Sequence, residues 1–216
     1  MEYNKFIDHT ILKPEATSEQ VRKICHEAIA NHFASVCINP TWVPLASDLL
    51  NGTDVKVCTV IGFPLGANVT RTKIFETKDA IDNGASEIDM VANIGWIKDN
   101  DFEKVTAEIN EIKSACGSKI LKVIVETCLL NDHEKTEVCK CVIAAGADFI
   151  KTSTGFSTGG AKLEDIKLWK KIITENHSHL KIKASGGVKT RKDMIDFINA
   201  GADRIGTSSG VTLIKE

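Results

Sequence analysis

Short apolar runs alternate with longer amphipathic stretches from one end of the chain to the other. The runs are rich in β-branched residues and end at glycine, proline or asparagine, which is typical of strands. Between them, apolar residues recur at helical spacing, as at Val21, Ile24, Cys25, Ala28 and Ile29. Eight strands are predicted, at residues 6–12, 34–38, 55–61, 87–92, 120–125, 149–152, 182–184 and 204–207.

The stretches between the strands begin at residues that can cap a helix N-terminus. The predicted N-caps are Ser18, Thr70, Thr190 and either Asn131 or Asp132. Helices are also predicted at residues 44–50, 101–115 and 163–174, with a short one after the last strand, and residues 93–95 are predicted to close the fourth strand.

Strict alternation of strands and helices indicates parallel strands joined by helical crossovers. Eight such units predict an α/β fold, a closed (β/α)8 TIM barrel that takes residues 1–216 as one domain. The segments 83–86, 145–148 and 200–203 repeat one pattern in which a helix ends and a strand begins, as expected of repeated units. A doubly wound open sheet is the alternative, but the first turn carries neither of its glycine motifs.

Composition narrows the function classes. The chain has 216 residues, of which 43% are hydrophobic and 26% charged, with a formal net charge of −2. These values fit a globular protein without the basic footprint of a nucleic-acid partner. No apolar run reaches membrane-spanning length, and the N-terminus has no signal-peptide pattern. Seven cysteines without CxxC spacing indicate buried thiols in a reducing compartment, so the cytoplasm is the predicted location.

Charged residues interrupt the predicted strands near their carboxyl ends, where barrel enzymes react. Asp89 lies in the fourth strand, Lys122 and Glu126 share one face of the fifth, and Lys151 and Lys183 lie in the sixth and seventh. Charges between aliphatic residues are costly unless they are paired. These residues are therefore candidate active-site groups, and a purely structural buried network is the alternative. Lys122 and Glu126 are either supporting partners or the inner layer of the barrel.

Lys151 and Lys183 fall on neighbouring strands. If both point inward, each disfavours protonation of the other, and one amine becomes a nucleophile that can form an imine. Asp89 is predicted to balance the remaining cation and to pass protons through it or through water. The residues alone leave open which lysine is the nucleophile.

Two glycine-rich loops follow the last two strands, at residues 185–188 and 206–210. Barrels often hold a phosphate there, on loop amides and a helix N-terminus, so a phosphate site is predicted between these loops. The six histidines form no cluster with metal-ligand spacing, and no metal or other cofactor is predicted. Cys37 is predicted to be a core residue, because no histidine at a strand end is an obvious base for it.

The strand-end motifs resemble those of the deoxyribose-phosphate aldolases, a family of class I aldolases. The matching stretches run along nearly the whole chain, at residues 8–10, 12–13, 36–40, 60–66, 87–91, 121–127, 149–155, 182–187 and 206–209. Lys-Thr-Ser-Thr-Gly at 151–155 and Lys-Ala-Ser-Gly-Gly at 183–187 are together quite specific.

The resemblance implies an eight-stranded barrel and a metal-free reaction. Lys151 is then the Schiff-base lysine, Lys183 the lysine that perturbs it, and Asp89 the proton-relay carboxylate. The implied reaction is the reversible cleavage of 2-deoxy-D-ribose 5-phosphate to D-glyceraldehyde 3-phosphate and acetaldehyde. The implied partner is a small phosphosugar, with no nucleic acid or membrane, and a homodimer is compatible with the family.

The candidate phosphate-binding residues on this resemblance are Thr154, Gly155, Gly186, Gly187, Ser208 and Ser209. One position departs from the family pattern, since some members carry a lysine after Thr-Ser-Thr-Gly and this chain has Phe156. The phosphate would then depend more on amides and hydroxyls. The alternatives are a transaldolase-like or isomerase enzyme on the same barrel, and a phosphosugar-binding barrel without catalysis.

Overall fold

Eight parallel strands close on one another in the computed structural model, which describes residues 3–215. Each strand pairs with the next along the chain, and the last pairs with the first, so the sheet is a closed barrel. The predicted (β/α)8 TIM barrel is confirmed. The strands are β1 (Ile7–Ile11), β2 (Ser35–Ile38), β3 (Lys56–Ile61), β4 (Glu87–Val91), β5 (Ile120–Ile124), β6 (Phe149–Lys151), β7 (Lys181–Ser185) and β8 (Arg204–Thr207).

Helices cover the outside of the barrel. They are α1 (Ser18–Ala30), α2 (Val43–Leu50), α3 (Thr70–Asp82), α4 (Ile94–Lys98), α5 (Phe102–Cys116), α6 (Asp132–Ala144), α7 (Leu163–Glu175), α8 (Arg191–Ala200) and α9 (Gly210–Lys215). Single 3-10 turns occur at Asn4–Phe6, Pro40–Trp42 and Thr127–Leu129. None of the helices between residues 3 and 215 combines the length and the apolar character that a membrane crossing needs.

The main core lies between the helices and the outer face of the sheet. The predicted apolar face of α1 is buried at Val21, Ile24, Cys25 and Ala28 and half-buried at Ile29. On α7, Trp169 is fully buried, and its indole N–H donates to the carbonyl of Lys135 on α6 at 3.1 Å. Burying a large apolar side chain contributes about 1.5–3 kcal/mol, so this layer fixes each helix on its strand.

The caps agree with the sequence in part. Thr190 caps α8 and Asn131 caps α6. In each cap, the side chain of the third helical residue accepts a hydrogen bond from the backbone amide of the capping residue. Two predicted caps were wrong by one residue. Thr17, not Ser18, caps α1. Its hydroxyl accepts from the backbone amide of Gln20, and the side chain of Gln20 accepts from the backbone amide of Thr17. Thr70 is the first residue of α3, and its hydroxyl instead donates to Glu108 at 3.2 Å.

Residues 93–95 follow the end of β4 as expected, but the short helix α4 that begins there was not predicted. The side chain of Asn93 accepts from the amide of Trp96 at 3.3 Å, and Ile97 is buried beneath the helix. A cap and one buried anchor suffice for this five-residue helix, although Gly95 lowers its intrinsic helix propensity.

Candidate active site

The three residues predicted to carry chemistry meet inside the barrel. Lys151 on β6 and Lys183 on β7 are directly paired in the sheet register. Both amines donate to Oδ2 of Asp89 on β4, at 2.8 Å from Lys151 and 2.7 Å from Lys183. Because β4 and β7 are not neighbours in the sheet, these bonds cross the lumen. All three side chains are at most 3% exposed.

The second oxygen of Asp89 is held from another side. Its Oδ1 accepts from Lys122 Nζ at 2.9 Å and from the Cys58 thiol at 3.1 Å. Lys122 is fully buried and also contacts Glu87, two residues before Asp89 on β4, at 2.5 Å. Lys122 is therefore both a direct partner of the carboxylate and part of the inner layer of the barrel.

A further layer of charged residues lies toward the amino-terminal end of the barrel from this group. The sequence analysis did not predict this layer. Asp8 on β1 contacts Lys183 at 2.6 Å and Arg204 on β8 at 2.5 Å, and it accepts from the Ser35 hydroxyl at 2.6 Å. The guanidinium of Arg204 also lies 3.4 Å from Glu87. Strand alternation was an available signal, because Glu87 shares a strand face with Asp89.

The surrounding charges set the protonation of this network. Burial alone would lower the pKa of Lys183, but the carboxylates of Asp8 and Asp89 outweigh it and raise that pKa above its usual range. Burial would raise the pKa of Asp89, but the ammonium groups of Lys122, Lys151 and Lys183 hold it well below the ordinary carboxyl value. Lys183 therefore stays a cation, and the depression predicted for a pair of inward lysines does not apply to it.

One side of the lumen is apolar. Leu12, Cys37, Cys58 and Val60 form a small buried cluster, with Phe63 packed against it. Cys37 is fully buried there, in agreement with its prediction as a core residue. Hydrogen bonding with Cys58 lowers the pKa of the Cys37 thiol, with a smaller contribution in the same direction from Lys183.

The lumen also contains the one group with metal-ligand spacing among residues 3–215. The donor atoms of Cys37, Cys58 and Asp89 lie within 4.8 Å of one another. Three ammonium groups already bond the carboxylate of Asp89, and they would repel a metal cation at this point. The donor set therefore fits a proton-transfer group better than a metal site.

The predicted phosphate-binding residues lie on three successive loops at the carboxyl end of the barrel. Gly155 and Gly187 are exposed and Gly186 is half-buried. The φ angles are 86° at Gly155, 83° at Gly186 and 82° at Gly187, a backbone conformation that residues with a side chain rarely adopt. Ser208 is exposed and Ser209 half-buried. Hydrogen bonds tie these loops together, since the Thr207 hydroxyl donates to the Val188 carbonyl at 3.0 Å and the Ala161 amide to the Gly186 carbonyl at 3.0 Å.

Thr154 differs from the other members of this set because it is buried and fully bonded. Its amide donates to Oε1 of Glu126 at 3.2 Å, its hydroxyl donates to the same carboxylate, and the Phe156 amide donates to that hydroxyl at 3.0 Å. Glu126 was wrongly placed on the face of Lys122, since β5 ends at Ile124 and Glu126 has a left-handed backbone with φ of 53°. Glu126 and Thr154 thus shape the loop that carries Gly155.

The buried carboxylates make the free energy of unfolding depend on pH in the acid range. Burial would raise the pKa of Asp8, but Arg204, Lys183 and Lys122 together depress it, and Asp89 is depressed likewise. Their contribution is complete above the unfolded pKa of about 4 and is lost as the pH falls toward the folded values. We expect the free energy of unfolding, from urea titrations, to fall by about 1.4 kcal/mol per pH unit per carboxylate below pH ~4.

A pair of variants tests this assignment. Asp8→Asn removes one linked proton, so its free energy of unfolding should decline less steeply with falling pH than that of the wild type. Glu111→Gln removes an exposed carboxylate from α5 and should leave the slope unchanged. Equal slopes for the wild type and Asp8→Asn would contradict the role given to Asp8.

Comparison with known proteins assigns the chain to a family. The family described as DeoC/LacD family aldolase matches residues 4–214. A deoxyribose-phosphate aldolase of Clostridium tetani is 55% identical over 217 residues, covering 100% of this chain and 99% of the relative. One from Streptococcus suis is 56% identical over 215 residues, covering 100% of this chain and 96% of the relative.

Solved structures agree with the sequences. The structure titled "QR15, an Aldolase" superposes with a TM-score of 0.92 at 42% identity, covering 98% of this chain and 94% of that one. The deoxyribose phosphate aldolase of Aeropyrum pernix, described as a unique tetramer, has a TM-score of 0.91 at 33% identity, covering 98% of this chain and 89% of that one. The motifs, the fold and these relatives agree along almost the full length, and the chain belongs to the DeoC/LacD family of aldolases, enzymes that make and break carbon–carbon bonds.

Proposed function

We propose that this aldolase reversibly cleaves 2-deoxy-D-ribose 5-phosphate to D-glyceraldehyde 3-phosphate and acetaldehyde through a Schiff base on Lys151. The observation that carries the proposal is the position of Asp89, whose Oδ2 lies within 2.8 Å of the Lys151 amine and 2.7 Å of the Lys183 amine. A nucleophilic amine, a fixed cation and a carboxylate at hydrogen-bond distance are the groups that imine chemistry requires.

The environment of the two amines supports Lys151 as the nucleophile. Lys183 is held as a cation by two carboxylates, Asp8 and Asp89, whereas Lys151 contacts only Asp89 among the carboxylates of residues 3–215. Lys151 is also the one of the two that keeps some exposure, at 3% against 0%. An amine that reacts with an incoming aldehyde must be reached from the mouth of the barrel.

A charge count supports the presence of one neutral amine in this network. The buried network contains three carboxylates, those of Asp8, Glu87 and Asp89. It contains four cationic groups, those of Lys122, Lys151, Lys183 and Arg204. Three negative charges against four positive ones leave one positive charge in excess, and loss of one ammonium proton brings the network to neutrality. A neutral amine is the form that attacks a carbonyl.

The proposed cycle begins when the neutral Lys151 amine attacks C1 of the open-chain sugar. Loss of water, with one proton supplied by the site and returned to it on hydrolysis, gives a protonated imine, which acts as an electron sink. Asp89, with Lys183 and water, takes the proton of the C3 hydroxyl, the C2–C3 bond breaks, and glyceraldehyde 3-phosphate leaves. The remaining enamine takes a proton at C2, and water hydrolyses the imine to release acetaldehyde and the free amine.

The phosphate of the substrate would lie at the loops after β6, β7 and β8. The peptides of Gly155, Gly186 and Gly187 and the hydroxyls of Ser208 and Ser209 supply neutral donors at this rim. Several amides that converge on one anion can replace a charged side chain. This arrangement supports binding of a sugar phosphate whose phosphate lies at the rim and whose C1 carbonyl extends down to Lys151.

Borohydride trapping tests the proposal. Protein reduced in the presence of acetaldehyde should carry a two-carbon adduct on Lys151 in peptide mass mapping, and protein reduced without aldehyde should carry none. An adduct on Lys183 would keep the reaction class and exchange the roles of the two lysines. Folded protein that yields no adduct with acetaldehyde or with deoxyribose 5-phosphate would overturn the Schiff-base mechanism and favour an isomerase.

A further inference from the structure

His9 is a buried titratable residue of β1 that the cycle proposed above does not use. It is 2% exposed. Its neighbour Asp8 points into the lumen, where it contacts Lys183, so strand alternation places His9 on the outer face of the sheet. There its Nε2 lies 2.7 Å from Oε2 of Glu27 on α1, and its ring packs edge-on against Phe33 with centroids 5.3 Å apart. These two contacts fix the orientation of the imidazole.

The carboxylate of Glu27 also determines which ring nitrogen carries a hydrogen. A carboxylate only accepts hydrogen bonds, so Nε2 of His9 is the donor of this pair. The other nitrogen, Nδ1, is buried and bonds no polar group among residues 3–215. The Nδ1 edge of the ring is therefore not occupied by a hydrogen bond within the described chain, and it can make a close packing contact.

That edge faces Gly210, the first residue of α9. A Cβ placed on Gly210 would lie 3.0 Å from Nδ1 of His9, 3.0 Å from Cγ2 of Ile7 and 3.1 Å from Cε2 of Phe33. Non-bonded carbon atoms prefer separations of about 3.5–4.0 Å, so no side chain fits at this position. Glycine lets the backbone of α9 lie directly against the three side chains, and His9 forms one wall of this seat.

The seat of Gly210 also fixes the loop before it. Ser208 and Ser209 immediately precede Gly210 in the chain. The amides of Thr212 and Leu213 both donate to the carbonyl of Ser209, at 2.9 and 3.1 Å. The serine loop and the first turn of α9 are therefore joined by hydrogen bonds, and a shift of Gly210 moves the two serines with it.

We propose that His9, held by Glu27, is a positioning residue for the phosphate of the substrate, because it sets the place of Gly210 and thereby of the Ser208 and Ser209 hydroxyls. This role rests on the function proposed above, in which those hydroxyls bind the phosphate. His9 lies behind the loop and does not touch the sugar. Neutral donors bind an anion well only at hydrogen-bond distance, so their support decides how much they contribute.

Two sugars that differ only in the phosphate separate this role from a general structural one. Cleavage is measured for 2-deoxyribose 5-phosphate and for 2-deoxyribose. His9→Leu should raise KM for the phosphorylated sugar about tenfold, keep its kcat within about twofold, and leave kcat/KM for 2-deoxyribose unchanged. A disturbance of the fold or of the neighbouring Asp8 would instead lower kcat/KM for both sugars.

His9→Gln is the conservative variant. The side-chain amide nitrogen of glutamine can take the place of Nε2 and donate to Glu27, so KM for the phosphorylated sugar should return toward the wild-type value. His26→Leu is the matched control, because His26 is an exposed histidine of α1 next to Glu27. It should leave the kinetics of both sugars unchanged.

Gly210→Ala tests the same contact from the other side. It leaves His9 and Glu27 in place, but its Cβ must displace the start of α9, so KM for 2-deoxyribose 5-phosphate should again rise about tenfold. The value of kcat/KM for 2-deoxyribose should not change. This variant keeps the inference testable if His9→Leu does not fold.

Two results would overturn the inference. One is an unchanged KM for 2-deoxyribose 5-phosphate in folded His9→Leu or Gly210→Ala, and the other is an equal loss of kcat/KM for both sugars. The proposed function is checked separately, because acetaldehyde carries no phosphate and its borohydride trapping on Lys151 should succeed in every one of these variants. Failure of trapping in the wild type would instead remove the proposed function itself.

Discussion

Replacing Lys151 with alanine is expected to abolish turnover and leave the fold intact. The amine would be lost at the position where the imine is proposed to form, so kcat should fall by at least about 10⁴-fold. Stability should be retained, because Asp89 keeps Lys122 and Lys183 as partners at 2.9 and 2.7 Å. Turnover of deoxyribose 5-phosphate and thermal unfolding of the same preparation check both parts.

Two controls define what this result would mean. Lys98→Ala removes a partly exposed lysine from α4, outside the barrel lumen, and should leave turnover near the wild-type rate. Lys151→Arg keeps a cation in the lumen but cannot form an imine, so it should be as inactive as Lys151→Ala. Near-native turnover in either Lys151 variant would reject the assignment of the nucleophile.

Replacing Asp89 with alanine should damage both stability and catalysis. Its carboxylate is fully buried and bonds three lysines, so alanine leaves those ammonium groups without their shared anion. Breaking a buried ion pair from one side costs about 3–5 kcal/mol, which should appear as a large fall in the free energy of unfolding. Turnover should fall as well, because no carboxylate remains to take the C3 hydroxyl proton.

Asp89→Asn separates the two effects. The amide has the shape of the carboxylate and can still accept from one lysine, but it has no charge and is a poor base. It should be destabilised less than Asp89→Ala, because one lysine stays bonded, and it should lose most of its turnover. Its trapping by borohydride with acetaldehyde should persist, because imine formation depends on Lys151. Full activity in Asp89→Asn would exclude the carboxylate from the proton relay.

The sequence predicted most of the charged residues that meet around Asp89, because their positions in the predicted strands are unusual for charged side chains. A charged residue between aliphatic ones near the end of a predicted strand has few structural reasons to be there, and Asp89, Lys151 and Lys183 all fit that description. The eight predicted strands supplied their relative positions. Which of the two lysines reacts was not decided by spacing, because it depends on the carboxylates around each amine.

The residues that were missed depend on closure of the barrel. Asp8 and Arg204 lie 196 positions apart in the chain, and they meet only because β8 pairs with β1. Nothing in the local sequence of either residue marks the other as its partner. Glu126 was misplaced for a different reason. Its left-handed backbone turns it out of the strand pattern, and a period of two residues cannot describe a side chain beyond the last strand residue.

The ion network on the amino-terminal side of Lys151 limits the routes by which water can reach the active site. Asp8, Glu87, Lys122 and Lys183 are at most 2% exposed and Arg204 is 13% exposed, so the amino-terminal half of the lumen is filled. In the proposed cycle, the water that hydrolyses the imine must then enter through the same opening as the aldehyde. A bulky acceptor in that opening delays the hydrolysis of the enzyme-bound intermediate, so the lifetime of the intermediate depends on what occupies the entrance.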